Sequence, residues 1–137
     1  MNKTVATHSG AFHADEIFAV ATLMLALKEE VFIVRTRDPK AYEKADFVID
    51  VGGVYDPKNG RFDHHQIGGA GMHQNTIPYA SFGLLWKEYG VELCGGDSIV
   101  TERIEQRLVS AIDAPDNGIS IYTNIHKDIY PYTIGDV

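Results

Sequence analysis

Imidazoles and carboxylates fall in four groups along this chain: His8, His13 and Asp15; Asp50; Asp63-His64-His65; and Asp113 with Asp116. These are the side chains that bind divalent cations, and hard carboxylate oxygens with a few neutral imidazoles suit manganese, with magnesium as a substitute. Taken singly, most have an ordinary explanation. His8 reads as a loop histidine, and Asp15 as an acid in the first turn of a helix, where the dipole favours it. Asp50 reads as the start of a turn, and Asp113 and Asp116 as turn or cap residues around Pro115 and Gly118. The run Asp63-His64-His65 has less structural purpose, because adjacent imidazoles beside a carboxylate suit a divalent ion better than a turn. Their joint placement is what carries weight.

The elements that must position these groups follow from hydrophobic periodicity. Residues 3–7 form a β-prone run that ends at His8. Residues 14–29 read as a helix, with Ile17, Val20, Ala21, Met24, Leu25 and Leu27 at three- and four-residue steps. Residues 31–35 and 47–51 read as further strands, with Asp38-Pro39 as a turn and Asp50 closing the later strand. Strand, helix and strand at this spacing predict a βαβ unit, hence an α/β fold with a parallel twisted β-sheet flanked by helices. The run Asp56-Pro57-Lys58-Asn59-Gly60 predicts a hairpin between 54–55 and 61–62, which delivers Asp63-His64-His65. Residues 66–76 read as a mobile glycine-rich loop, and 79–89 and 98–112 as helices, the second capped by Asp97-Ser98. In parallel α/β sheets ligands bind beyond the carboxyl ends of the strands, so a metal site is expected on that rim.

The chain has 137 residues and a formal net charge of −7, which argues for one domain spanning 1–137 and against a broad nucleic-acid surface. A metal-centred phosphate site stays open, because two divalent ions would return four positive charges locally. A single cysteine, Cys94, excludes a disulfide framework. The run Gly68-Gly69-Ala70-Gly71 follows no apolar strand and lacks the lysine of a phosphate-cradling loop. Ser9 and Ser81 lack the surroundings of a nucleophile. No membrane span or leader is legible, so the expected location is the cytoplasm.

Four segments carry a resemblance: THSGAFHADEIFAVATL from Thr7, VIDVGGVYDPKNGRFDHHQ from Val48, YASFGLLWKEYG from Tyr79 and AIDAPDNGIS from Ala111. Together they resemble the DHH phosphoesterase superfamily. The likeness is closest to the branch of metal-dependent hydrolases that includes the 3′-to-5′ exonuclease encoded by the melanocyte proliferating gene. The resemblance implies a DHH-type N-terminal domain with two ions, usually Mn2+. Asp50 would bridge them; Asp15, His64 and either Asp113 or Asp116, with Asp113 slightly favoured, would complete one; His8 and His13 would hold the other. The superfamily more often has aspartate at the position of His13. By the same resemblance His65 would contact the substrate phosphate or move a proton, and Asp63 would orient a neighbouring imidazole. Arg61 is a weaker candidate phosphate contact. Relatives in that family continue past the length of this chain with a second domain that closes over the site; the expectation here is that this domain is absent, or is supplied by a partner chain or a second copy.

The function these expectations favour is a divalent-metal phosphoesterase, a 3′-to-5′ exonuclease on short single-stranded RNA or DNA. A small-phosphate hydrolase acting on pyrophosphate or a dinucleotide is the enzymatic alternative. A metal-binding module without useful catalysis is the alternative from another class.

Overall fold

The computed structural model describes residues 2–137. Its sheet has five strands: β1 Thr4–Thr7, β2 Phe32–Arg35, β3 Phe47–Ile49, β4 Tyr55–Asp56 and β5 Arg61–Phe62, in the spatial order β2-β1-β3-β5-β4. All neighbours are parallel except the β4–β5 hairpin. The α/β fold expected from the sequence is therefore the one observed.

Alternation along the strands divides the core into two layers. Val5, Ile49 and Phe62 point to one face, where Ala19, Val20 and Leu23 of helix α1 (Ala14–Leu27) and Phe82, Leu84, Leu85 and Trp86 of helix α3 (Ser81–Leu93) cover them. Full burial of side chains such as Leu23, Phe82 and Leu84 stabilises the fold by roughly 1.5–3 kcal/mol each. Ala6 and Val48 point to the other face, against Ala45 and Tyr42 from the short helix α2 (Pro39–Lys44). Helix α2 was not expected beyond its Asp38-Pro39 turn; the Asp38 side chain caps it by accepting from Lys40 N at 3.0 Å.

Several boundaries shift for local reasons. Helix α1 stops at Leu27 because Lys28 takes a left-handed conformation, φ 56°. Strand β3 stops at Ile49 because Asp50 does the same, φ 59°. The hairpin turn is closed by Gly60, whose φ is 68° and where a Cβ would lie 2.5 Å from the Asp46 carbonyl oxygen. The last helical stretch, capped by Asp97 Oδ1 accepting from Ile99 N and Val100 N, runs on past residue 112. It consists of α4 (Ser98–Ile104), a π-helical segment (Glu105–Val109) and α5 (Ser110–Asp116), with Pro115 in the final turn. The glycine-rich loop is pinned by His73, which is buried. No helix among the described residues is long and apolar enough to cross a membrane.

The topology explains where a site would form. After β1 the chain passes through α1 to β2 on one side; after β2 it returns through α2 to β3 on the other side of β1. The segments leaving β1 and β3 thus diverge, and a crevice at such a switch point is where α/β sheets place ligands.

Candidate metal centre

His8 leaves β1 and Asp50 leaves β3 at this crevice, and the parallel β5 brings Asp63, His64 and His65 to the same rim. The Ile49–Phe62 register and the bond from Asp50 N to the Phe62 carbonyl, 3.0 Å, fix these loops side by side. Asp15 and Glu16 enter from the first turn of α1, and Asp116 from the end of α5.

Asp50 is the centre of the arrangement. Its Oδ2 lies 3.3 Å from His8 Nε2, and its Oδ1 lies 3.3 Å from His64 Nε2. Each imidazole is held in a defined tautomer from behind. His8 Nδ1 is 3.2 Å from the Ser9 carbonyl, which can only accept, so Nδ1 carries the proton. The Asn117 amide donates to the Pro78 and Asp113 carbonyls at 3.0 and 2.9 Å, so its oxygen faces His64 Nδ1 at 3.3 Å. His64 therefore also carries a proton on Nδ1, and both Nε2 atoms turn toward carboxylates. His8 Nε2, His64 Nε2 and Asp50 Oδ1 are buried without a hydrogen-bond partner. Such orphaned atoms call for explanation, and a cation supplies it.

Three overlapping donor sets converge on Asp50: His8, His13 and Glu16; Asp15, His64 and Asp116; and Asp63, His64 and His65, the atoms of each set together with Asp50 lying within 4.8 Å of one another. Separations near 3.0–3.4 Å, such as His64 Nε2 to Asp116 Oδ2 at 3.0 Å, are those of adjacent donors about an ion with bonds of about 2.1 Å. The residues present thus fit a divalent metal.

Electrostatics point the same way. Burial raises the Asp15 carboxyl well above the ordinary range, and the charges of Asp50 and Asp116 raise it further. Asp15 is held by Ser81 N at 3.0 Å and Phe82 N at 2.7 Å, so it caps α3 from α1. Burial disfavours the His64 cation, but Asp116 and Asp50 outweigh it and push the imidazole up to about 10. The proton that these carboxylates favour on His64 and a cation at the same donors would compete.

His65 is half-exposed, with Nδ1 2.6 Å from Asp63 Oδ1. Asp63 is buried, and it also accepts from Gly53 N at 2.6 Å and His64 N at 2.8 Å. It therefore presents the free Nε2 of His65 outward. His13 is half-exposed, its ring 4.8 Å from that of His8 and its Nδ1 3.9 Å from Asp116 Oδ1.

Two candidates from the sequence stand elsewhere. Asp113, slightly favoured over Asp116 on resemblance, is outside all three donor sets: it is fully buried, its Oδ2 2.7 Å from His73 Nε2 and its Oδ1 accepting from Gly83 N at 3.2 Å. Asp116 faces the cluster instead. Arg61 points to the opposite rim of the sheet, where its guanidinium donates to the carbonyls of Asp46 at 3.2 Å and of Gly60, Tyr42 and Ala45 at 3.4 Å. Those acceptors, at the end of α2 and the entry to β3, occupy the donors that a phosphate contact would need.

Glu16, His73, Glu105 and Asn117 belong to the surroundings of the site without having been legible in the sequence. Glu16 carried a helix-start signature, three residues after His13, and does accept from His13 N at 2.7 Å. Its Oε2 also lies 3.4 Å from His8 Nε2, while Arg35 Nη1 donates to Oε1 at 3.3 Å. His73, between Asp113 and Glu105 Oε1 (2.7 Å), and Asn117 make contacts across 32 to 53 residues, which no local pattern announces.

The family model MYG1_exonuc, described as an uncharacterised protein family (UPF0160), matches residues 4–134. The chain belongs to the MYG1 family. It is 38% identical to a MYG1 protein of Saccharomyces cerevisiae over 93% of this chain and 41% of that one. It is 36% identical to a MYG1 protein of Caenorhabditis elegans, covering 93% of this chain and 42% of the relative. It is 37% identical to the human MYG1 exonuclease, over 85% of this chain and 36% of the relative. The chain thus spans about two fifths of the length of these MYG1 relatives. No solved structure matches it.

Proposed function

We propose that this chain is the DHH-type catalytic portion of a divalent-metal phosphoesterase that cleaves short single-stranded nucleic acid from the 3′ end. The observation that carries the reading is Asp50, whose two oxygens each face a different imidazole Nε2 across 3.3 Å. A carboxylate so placed would be shared by two donor sets. The exonuclease name of the human relative supports the choice of nucleic acid as substrate.

On this reading His8, His13 and Asp50, assisted by Glu16, would hold one ion, and Asp15, Asp50, His64 and Asp116 would hold the other. Two such ions, with Mn2+ preferred and Mg2+ a substitute, would supply a nucleophilic water near neutral pH and positive charge for the phosphoryl oxygens. The chain's own groups supply the rest. Asn117 and Ser9 hold the Nδ1 proton of His64 and His8, so that Nε2 of each would be the ligand atom. Asp63 fixes His65 with its Nε2 toward solvent, where it binds a phosphate oxygen or carries a proton to the leaving oxygen.

The test is hydrolysis of a short single-stranded RNA, with pyrophosphate and a dinucleotide as competing substrates, in Mn2+ and in chelator. Cleavage of the RNA that needs Mn2+ and is lost in Asp50→Ala supports the reading. Preference for pyrophosphate or the dinucleotide replaces it with a small-phosphate hydrolase. Metal binding without turnover of any substrate refutes catalysis by this portion alone.

A further inference from the structure

A cavity of about 330 Å³ opens beside the candidate metal centre, between the loop after β2 and the loop after β3. Asp50, Asp63 and His65 line it together with Arg37, Tyr42, Val51, Gly52 and Gly53. A ligand seated there would touch both the central carboxylate and the outward imidazole.

The cation on its wall is distinctive in what it does not contact. Of the three arginines in the sheet half of the chain, Arg61 is occupied at the far rim. Arg35 is occupied by Glu16 Oε1 at 3.3 Å and the Gly10 carbonyl at 3.1 Å, with its guanidinium 4.0 Å over the Phe12 ring. Arg37 is exposed and has one long contact, Nη2 to the Ser9 carbonyl at 3.4 Å. That contact steers its side chain toward the β1 loop and leaves most of the guanidinium fork open. The backbone opposite is made for close approach: Gly52 and Gly53 have φ of 93° and 69°, and a Cβ at Gly53 would meet nothing within 4 Å.

We propose that this cavity is a phosphate-binding subsite and that Arg37 is its clamp. The assignment rests on the phosphoesterase reading above. A guanidinium matches two oxygens of a tetrahedral phosphate at once, which an ammonium cannot do. The acidic neighbours Asp50 and Asp63 would repel an anion from the bare chain, so the subsite works with a metal-loaded centre, where Arg37 and His65, both on the cavity lining, reach the anion. Its ligand is the phosphate group shared by inorganic phosphate and by a nucleotide; a nucleotide that binds tighter identifies the second as the natural source.

The experiment is calorimetric titration of Mn2+-loaded chain with inorganic phosphate and with a nucleoside monophosphate, comparing wild type, Arg37→Ala and Arg37→Lys. Mn2+ affinity is measured first in each. The expected result is unchanged Mn2+ affinity, phosphate binding weakened tenfold or more in Arg37→Ala, and a smaller loss in Arg37→Lys. In cleavage assays Arg37→Ala should raise KM more than it lowers kcat. Equal phosphate affinity in wild type and Arg37→Ala, with Mn2+ bound, overturns the subsite alone, as does failure of the Mn2+-loaded wild type to bind phosphate. Failure of Mn2+ to bind overturns the phosphoesterase reading, and the subsite falls with it.

Discussion

Asp113 and Asp116 stand three residues apart on one helix, and the structure gives them opposite tasks that substitution should separate. Asp113 is fully buried, paired with His73 and with Gly83 N. Asp113→Ala leaves the buried His73 imidazole with only Glu105 as partner and strands a backbone donor. Breaking a buried pair from one side costs about 3–5 kcal/mol. For 137 residues each kcal/mol is worth roughly 3.5 °C, so the melting temperature should fall by roughly 10–17 °C. Asp116 has a side chain 14% exposed, is repelled by Asp15 and lies 3.0 Å from His64, which keeps Asp50 as a second partner, so Asp116→Ala should cost less metal-free stability than Asp113→Ala, about 1–3 kcal/mol. Metal binding should show the reverse. Saturation at about 100 times Kd stabilises wild type by about 2.7 kcal/mol, and a hundredfold loss of affinity leaves about 0.4 kcal/mol at the same Mn2+ concentration. Thermal unfolding in chelator and in Mn2+, with calorimetric Mn2+ titration, measures both effects. The reasoning is refuted if Asp113→Ala abolishes Mn2+ binding while Asp116→Ala retains it.

Other outcomes follow from the same contacts. In chelator, stability should fall as pH rises from about 6.5 toward 10: folded His64 titrates at about 10, so its ion-pair contribution is fully present below the ordinary imidazole value and is lost through the folded one. Asp15, also raised on folding, adds the same sign at lower pH, and Mn2+ should flatten the curve because the ion takes over from the protons. A melting temperature that climbs between pH 6.5 and 10 without metal would contradict this. Asn117→Leu should weaken Mn2+ binding about 10- to 100-fold by releasing the His64 tautomer, read by the same titration. Arg61→Gln should cost about 1–2 kcal/mol through its lost carbonyl contacts, with Mn2+ affinity and turnover unaltered; a rise in KM would restore it as a substrate contact.

What the sequence by itself determined was whatever repeats over a few residues. The short β-prone runs of β1 and β3 between turn residues and the three- and four-residue steps of α1 were enough for the parallel sheet and its helical cover, because strands buried on both faces read as continuous runs and a helix buried on one face leaves a periodic mark. The same reasoning placed His8, Asp50 and Asp63-His64-His65 at one rim, since each ends a strand of a parallel sheet. Tertiary structure alone decided the rest. Whether Asp113 or Asp116 meets the cluster depends on the rotation of α5 about its axis, which the π segment Glu105–Val109 resets; residues three apart share a face too closely for spacing to choose. Arg61 sits in a two-residue strand whose pattern says nothing about which rim a long side chain reaches. Glu16 caps α1 by accepting from His13 N, and folding brings the same carboxylate oxygen within 3.4 Å of His8 Nε2. His73 and Asn117 act on partners 40 and 53 residues away, a distance in sequence that only packing closes.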